Sequence, residues 1–117
     1  RLFRHKGDLP CPTEPSASSC YIRMFDNDKY ITRGVQNYVD PRLQLILWRA
    51  IQNMKVQKDY LQVFELTMEK SSQFVKHHQE VPPYEETFVA KGASTYIGKI
   101  FVIDDGDHST MMLAEEY

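Results

Sequence analysis

Asp104, Asp105, Asp107 and His108 stand together in one short stretch. Carboxylate oxygens beside an imidazole are the donors a divalent cation takes, and a cation held there would serve a metal-dependent hydrolase by activating water. The stretch lacks the length, the alternating ligands and the terminal glutamate of an EF-hand loop. Acids around a glycine, here Gly106, are also what a tight turn in water uses, and turn chemistry already accounts for these residues. His77 and His78 are neighbours, so on a strand they face opposite sides of the sheet and cannot chelate one ion as a pair. One of them could approach His108 or an aspartate of the tip. The chain has no glycine-rich phosphate loop and no Gly-x-Ser-x-Gly elbow. No cysteine nucleophile lies beyond residue 20, and no cofactor is implied.

The elements that position these residues follow from local patterning. Residues 100–103 are Ile-Phe-Val-Ile and residues 109–114 are Ser-Thr-Met-Met-Leu-Ala, flanking the acidic tip. β-Branched and aromatic residues on either side of Asp-Gly predict a hairpin. Asp40-Pro41 predicts a helix start, because aspartate accepts from free amides and proline suits the first helical position. Leu43, Ile46, Leu47, Ala50, Ile51 and Met54 then recur at three- and four-residue steps, which places a helix at about 41–54. Leu45 and Trp48 fall off that stripe and either widen the buried face or make an exposed apolar patch. With Arg49 they are the expected binding surface, since exposed tryptophan and arginine favour partner contacts.

Strand composition recurs at 29–35, with Gly34 read as a bend, and at 60–68, 74–81 and 87–90. Pro82-Pro83 closes the third of these, because neither proline can donate to a ladder. The predicted fold is α+β: an antiparallel sheet of about four to six strands, with one main helix (about 41–54) packed on one face.

The chain has 117 residues, 42% apolar and 12% aromatic, enough for one packed core and short of two domains. No apolar run reaches the about 20 residues that cross a bilayer, so no membrane is expected as a partner. Residues 1–23 differ in character. They are rich in proline and serine, hold both cysteines (Cys11 and Cys20, expected as free thiols), and carry four basic against two acidic residues. They are expected to be a flexible, non-native or upstream segment, leaving 24–117 as a single domain with ten basic and fourteen acidic residues. Such an acidic balance disfavours nucleic acid as a partner.

A resemblance adds to this reading. The run from Met24 through Asp26, Tyr30 and Gly34 to Val35, the segments 43–48, 59–66 and 78–82, and the closing Ala114-Glu115-Glu116-Tyr117 carry it. Together they resemble a family of small uncharacterised Gram-positive bacterial proteins catalogued as domain of unknown function nine-sixty. The resemblance covers essentially 24–117. It implies a cytoplasmic, single-domain bacterial protein and supplies no catalytic residues. The sequence therefore favours a non-catalytic module that binds a protein partner or a second copy of itself, as an accessory or regulatory factor. The competing reading is the metal-dependent hydrolase at the acidic tip.

Overall fold

A computed structural model describes residues 2–4 and 24–117. The expectations for the remainder of 1–23, including the free thiols of Cys11 and Cys20, lie outside the described residues. Strands β1 (Leu2–Arg4) and β2 (Asp28–Thr32) precede helices α1 (Arg33–Tyr38) and α2 (Pro41–Gln52). Strands β3 (Leu61–Glu69), β4 (Ser72–Gln79), β5 (Tyr84–Ala90), β6 (Gly98–Asp104) and β7 (His108–Leu113) follow, and a short 3-10 turn (Ala114–Glu116) closes the chain. All the strands among the described residues join one seven-stranded sheet in the order β1-β2-β7-β6-β3-β4-β5. The α+β class stands, but the sheet is larger than expected and is mixed, because β2 runs parallel to β7.

The predicted hairpin is β6–β7, with Gly106 at φ +102 in its turn. The segment read as a strand over 29–35 turns helical at Arg33 instead. The reason is tertiary. Thr32 Oγ1 accepts from the Val35 amide, while Glu116, distant in sequence, accepts from both the Thr32 hydroxyl and the Gly34 amide. Gly34 is thus a point of close approach: a β-carbon there would lie 2.7 Å from Glu116 Oε2.

Alternation along the strands places Ile31, Phe64, Leu66, Val75, Ile100, Val102, Met111 and Leu113 on one face. The helices bury Val35, Leu43, Leu47, Trp48 and Ile51 in the same core. Asp40 caps α2 as expected, its Oδ1 accepting from the Arg42 amide. Its Oδ2 accepts from the Ser94 amide and so ties the β5–β6 loop to the helix start.

The buried arc of α2 holds Leu43, Gln44, Leu47, Trp48 and Ile51. Trp48 is only 2% exposed, so its predicted place on a contact surface is corrected: it is core. At 100° per residue the buried arc is turned roughly 60° from the predicted stripe, toward Trp48. Gln44 accompanies the tryptophan inward because its amide donates to the Val39 carbonyl at 2.9 Å. Ile46 and Ala50 are left at the margin of the core, half-buried.

Candidate functional site

That rotation, together with the breadth of the sheet, creates a concavity. Seven strands span roughly 29 Å, whereas a helix with its side chains is about 10 Å wide. The helix α2 does not reach over β5. Between them runs a groove of about 620 Å³, walled on the helix side by Ile46, Arg49, Ala50 and Asn53, then by Lys55 and Val56. Its other wall is the inner face of β5, where Tyr84, Glu86 and Phe88 alternate. His77 of β4 completes the lining. Among the described residues β5 is the last strand of the sheet, so its outer backbone edge flanks the groove.

The lining of the groove is mostly apolar, with one imidazole. His77 is 1% exposed, stacks on Phe64 at 4.4 Å between centroids and meets Tyr84 edge-on at 5.4 Å. Its Nε2 lies 2.7 Å from Gln62 Oε1. The Gln62 amide is oriented by donating Nε2–H to the Asp59 carbonyl and to Gln79 Oε1. Gln79 is fixed in turn by donating to the Gln57 and Pro82 carbonyls. This chain sets the tautomer: His77 donates from Nε2, and Nδ1 keeps the lone pair. Burial, with the charge of His78 second, lowers the His77 pKa to about 4, so the ring is neutral at pH 7. Burial and then the Glu86 carboxylate push the Tyr84 phenol upward, keeping its proton in place. Arg49 and Lys55 supply cations on the helix side, opposite Glu86 on the strand.

Of the predicted contact residues, Arg49 lines this groove and Leu45 is 43% exposed, while Trp48 is buried. Sequence reading missed Tyr84 and Phe88. Their two-residue spacing, with Glu86 between, was the available signal for one face of a strand.

The acidic tip does not converge. Asp104 is turned inward, where Oδ2 accepts from the Phe25 amide at 2.8 Å and Oδ1 from Asn27 Nδ2 and the Gly106 amide. Asp105 Oδ1 accepts from the Asp107 and His108 amides, and its Oδ2 lies 3.1 Å from His108 Nε2. Asp107 is exposed. This is the turn chemistry that the sequence favoured, and nothing in the geometry favours the competing metal reading of Asp104, Asp105, Asp107 and His108. Among the described residues no group of three or more His, Cys, Asp and Glu side chains is placed to hold an ion. His77 and His78 face opposite sides as expected, and His78 Nε2 pairs with Glu65 Oε2 at 2.9 Å.

No helix among the described residues is long and apolar enough to cross a membrane. No curated protein matches the chain. A solved structure, that of a protein of unknown function from Enterococcus faecalis, is similar with a TM-score of 0.72 and 26% identity. The match covers 79% of this chain and 92% of the enterococcal one. The family described as Staphylococcal protein of unknown function (DUF960) matches residues 28–116, and the chain belongs to that family.

Proposed function

We propose that this protein is a non-catalytic binding module of the bacterial cytoplasm, and that it takes an extended segment of a partner protein into the groove beside β5. The observation that carries this reading is the adjacency of an apolar groove and an open strand edge. An incoming strand gains main-chain hydrogen bonds along β5 while alternate side chains enter the groove, the mode of β-augmentation beside a helix. Charge selects the occupant further. Arg49 and Lys55 favour acidic side chains on the helix side, and Glu85 and Glu86 favour basic ones along the strand. A cytoplasmic setting agrees with the absence of cysteine from 24–117.

The test selects peptides from a random phage-displayed library on the full chain, then measures them against Ala50→Trp and Arg49→Glu. Ala50→Trp fills the groove from its wall, and Arg49→Glu reverses one rim charge. Selected peptides should lose at least tenfold in affinity for both folded variants, and alternate β5 amides should exchange more slowly in the complex. Peptides that bind both variants undiminished, or that leave β5 exchange unchanged, would overturn the reading.

A further inference from the structure

Strand β1 joins the sheet from outside the span that the family matches: Leu2–Arg4 precede residue 28, yet they pair antiparallel with β2. Leu2 stands opposite Thr32, Phe3 opposite Ile31 and Arg4 opposite Tyr30. Closeness in the chain does not impose this pairing. Residues 5–27 separate the two strands, against the about two to five residues of a hairpin loop. Closing so long a loop costs entropy, so the edge of β2 itself supplies the attraction. β2 is held on its other side by β7, and its outward backbone is a template for a further strand. The positions it offers differ in character. Ile31 is 8% exposed and belongs to the core, so the residue opposite it falls at the margin of the apolar face. Tyr30 and Thr32 are half-buried on the other face, where the Tyr30 ring lies 5.0 Å from that of His108.

We infer that the outer edge of β2 is a strand-docking site for an extended partner segment with an apolar or aromatic residue opposite Ile31 and a cation opposite Tyr30, and that β1 is its tethered competitor. The sequence Leu2-Phe3-Arg4 has that chemistry at those positions. Cross-strand pairing of aromatic with β-branched residues, and of a cation with an aromatic ring, each favour such an occupant. The site lies toward the opposite end of the sheet from the groove and does not depend on it. A strand of three residues makes few ladder hydrogen bonds, so β1 is displaceable. Its advantage is the tether, which supplies an effective concentration on the order of 1 mM. Seated about nine-tenths of the time, β1 has an intrinsic dissociation constant of about 0.1 mM and weakens a competing segment about tenfold. The β1 of a second copy binds no better than the tethered one, so exchange between copies is disfavoured at micromolar concentration. A partner segment with more contacts than these three residues prevails.

The experiment titrates the isotopically labelled full chain and its Phe3→Pro variant with a capped hexapeptide, Arg-Leu-Phe-Arg-His-Lys, the sequence of residues 1–6. Proline cannot donate to a ladder, so the variant frees the edge. Amide NMR shifts give both the affinity and its place. Expected are dissociation constants of about 0.1 mM for Phe3→Pro and about 1 mM for the unaltered chain, with shifts at residues 28–33 and none at 84–90. The same peptide with proline in place of its phenylalanine should bind neither chain. Should Phe3→Pro fail to fold, Phe3→Gly weakens the same strand while keeping its amide and replaces it in the comparison. Equal affinity for the two chains, no binding to the variant at millimolar peptide, or shifts centred on β5 would overturn the inference. A dimer of the unaltered chain that Phe3→Pro dissolves would also overturn it, by assigning the edge to strand exchange between copies. The groove reading stands or falls separately, on Ala50→Trp and Arg49→Glu.

Discussion

Glu116 Oε2 accepts a hydrogen bond from the Gly34 backbone amide at 3.0 Å, tying the end of the chain to the first turn of α1. The same carboxylate takes the Thr32 hydroxyl at 2.6 Å and the Leu113 amide at 2.9 Å. Desolvation alone would raise its pKa, but the three hydrogen bonds outweigh it and hold the carboxyl below its ordinary value. The stabilisation is therefore present above the ordinary carboxylate range and lost as pH falls through the folded value. Alanine at position 34 would gain up to about 1 kcal/mol in helix propensity, yet its β-carbon would displace the carboxylate. We expect Gly34→Ala to destabilise by about 1 kcal/mol net, because the lost hydrogen bonds exceed the propensity gain. In a Glu116→Ala background the hydrogen-bond loss is gone and only the propensity gain and the crowding of Leu113 Cδ1, also 2.7 Å from that β-carbon, remain, so the same substitution should cost less there. A double-mutant cycle by urea unfolding measures the coupling, and additive effects would show that the two residues act independently.

His77 makes a pH prediction of opposite origin. Its folded pKa, lowered to about 4 by burial and then by His78, lies below the ordinary 6.5. Between these values the unfolded chain binds a proton that the folded one refuses, so stability falls as pH drops from 6.5 toward 4. The difference amounts to roughly 3 kcal/mol at most, reached below pH 4. Urea unfolding between pH 7 and 4, compared with His77→Phe, isolates this contribution: the variant should lose less stability over that range.

Trp48 and Leu45 separate core from surface on one helix. Trp48 belongs to the buried arc, with Lys29 Nζ 5.8 Å from its ring centroid. Trp48→Ala should cost about 3–5 kcal/mol, the range for emptying a large aromatic site. Leu45→Ala should stay within about 0.5 kcal/mol, as surface changes do. Thermal and urea unfolding of the two variants give the comparison, and a mild Trp48→Ala would return that residue to the surface.

What the sequence made legible was local. The Asp-Gly hairpin, the Asp40-Pro41 helix start and the opposed faces of His77 and His78 follow from neighbours in the chain, and the structure has all three. What it concealed depends on distant residues. Helix α1 relies on Glu116, which nothing near Arg33 announces. The β3–β4 turn places Lys70 and Ser71 at positive φ with no glycine, so the usual signal of a two-residue hairpin is missing. The groove arises from how far α2 reaches over the sheet, and strand count and helix rotation are both tertiary outcomes. Arg49 was legible as an exposed helix residue, whereas its neighbours across the groove come from a strand whose position in the sheet had to be seen.

The hairpin tip supplies the last prediction, which sets the inward Asp104 against the exposed Asp107. Asp104 answers the Phe25 and Gly106 amides and the Asn27 side chain, and Asn27 Oδ1 in turn accepts from the Ser109 hydroxyl at 2.6 Å. Asp104→Ala leaves the buried Phe25 amide without its acceptor, a loss of about 2–3 kcal/mol. Asp107→Ala removes an exposed side chain and should be nearly neutral. A structural role predicts further that magnesium or calcium at millimolar concentration leaves the melting temperature of the unaltered protein unchanged, since a ligand of the folded state alone would raise it. A metal-dependent rise that vanishes in Asp107→Ala would instead restore the cation site, because that residue has no part in the Asp104 network.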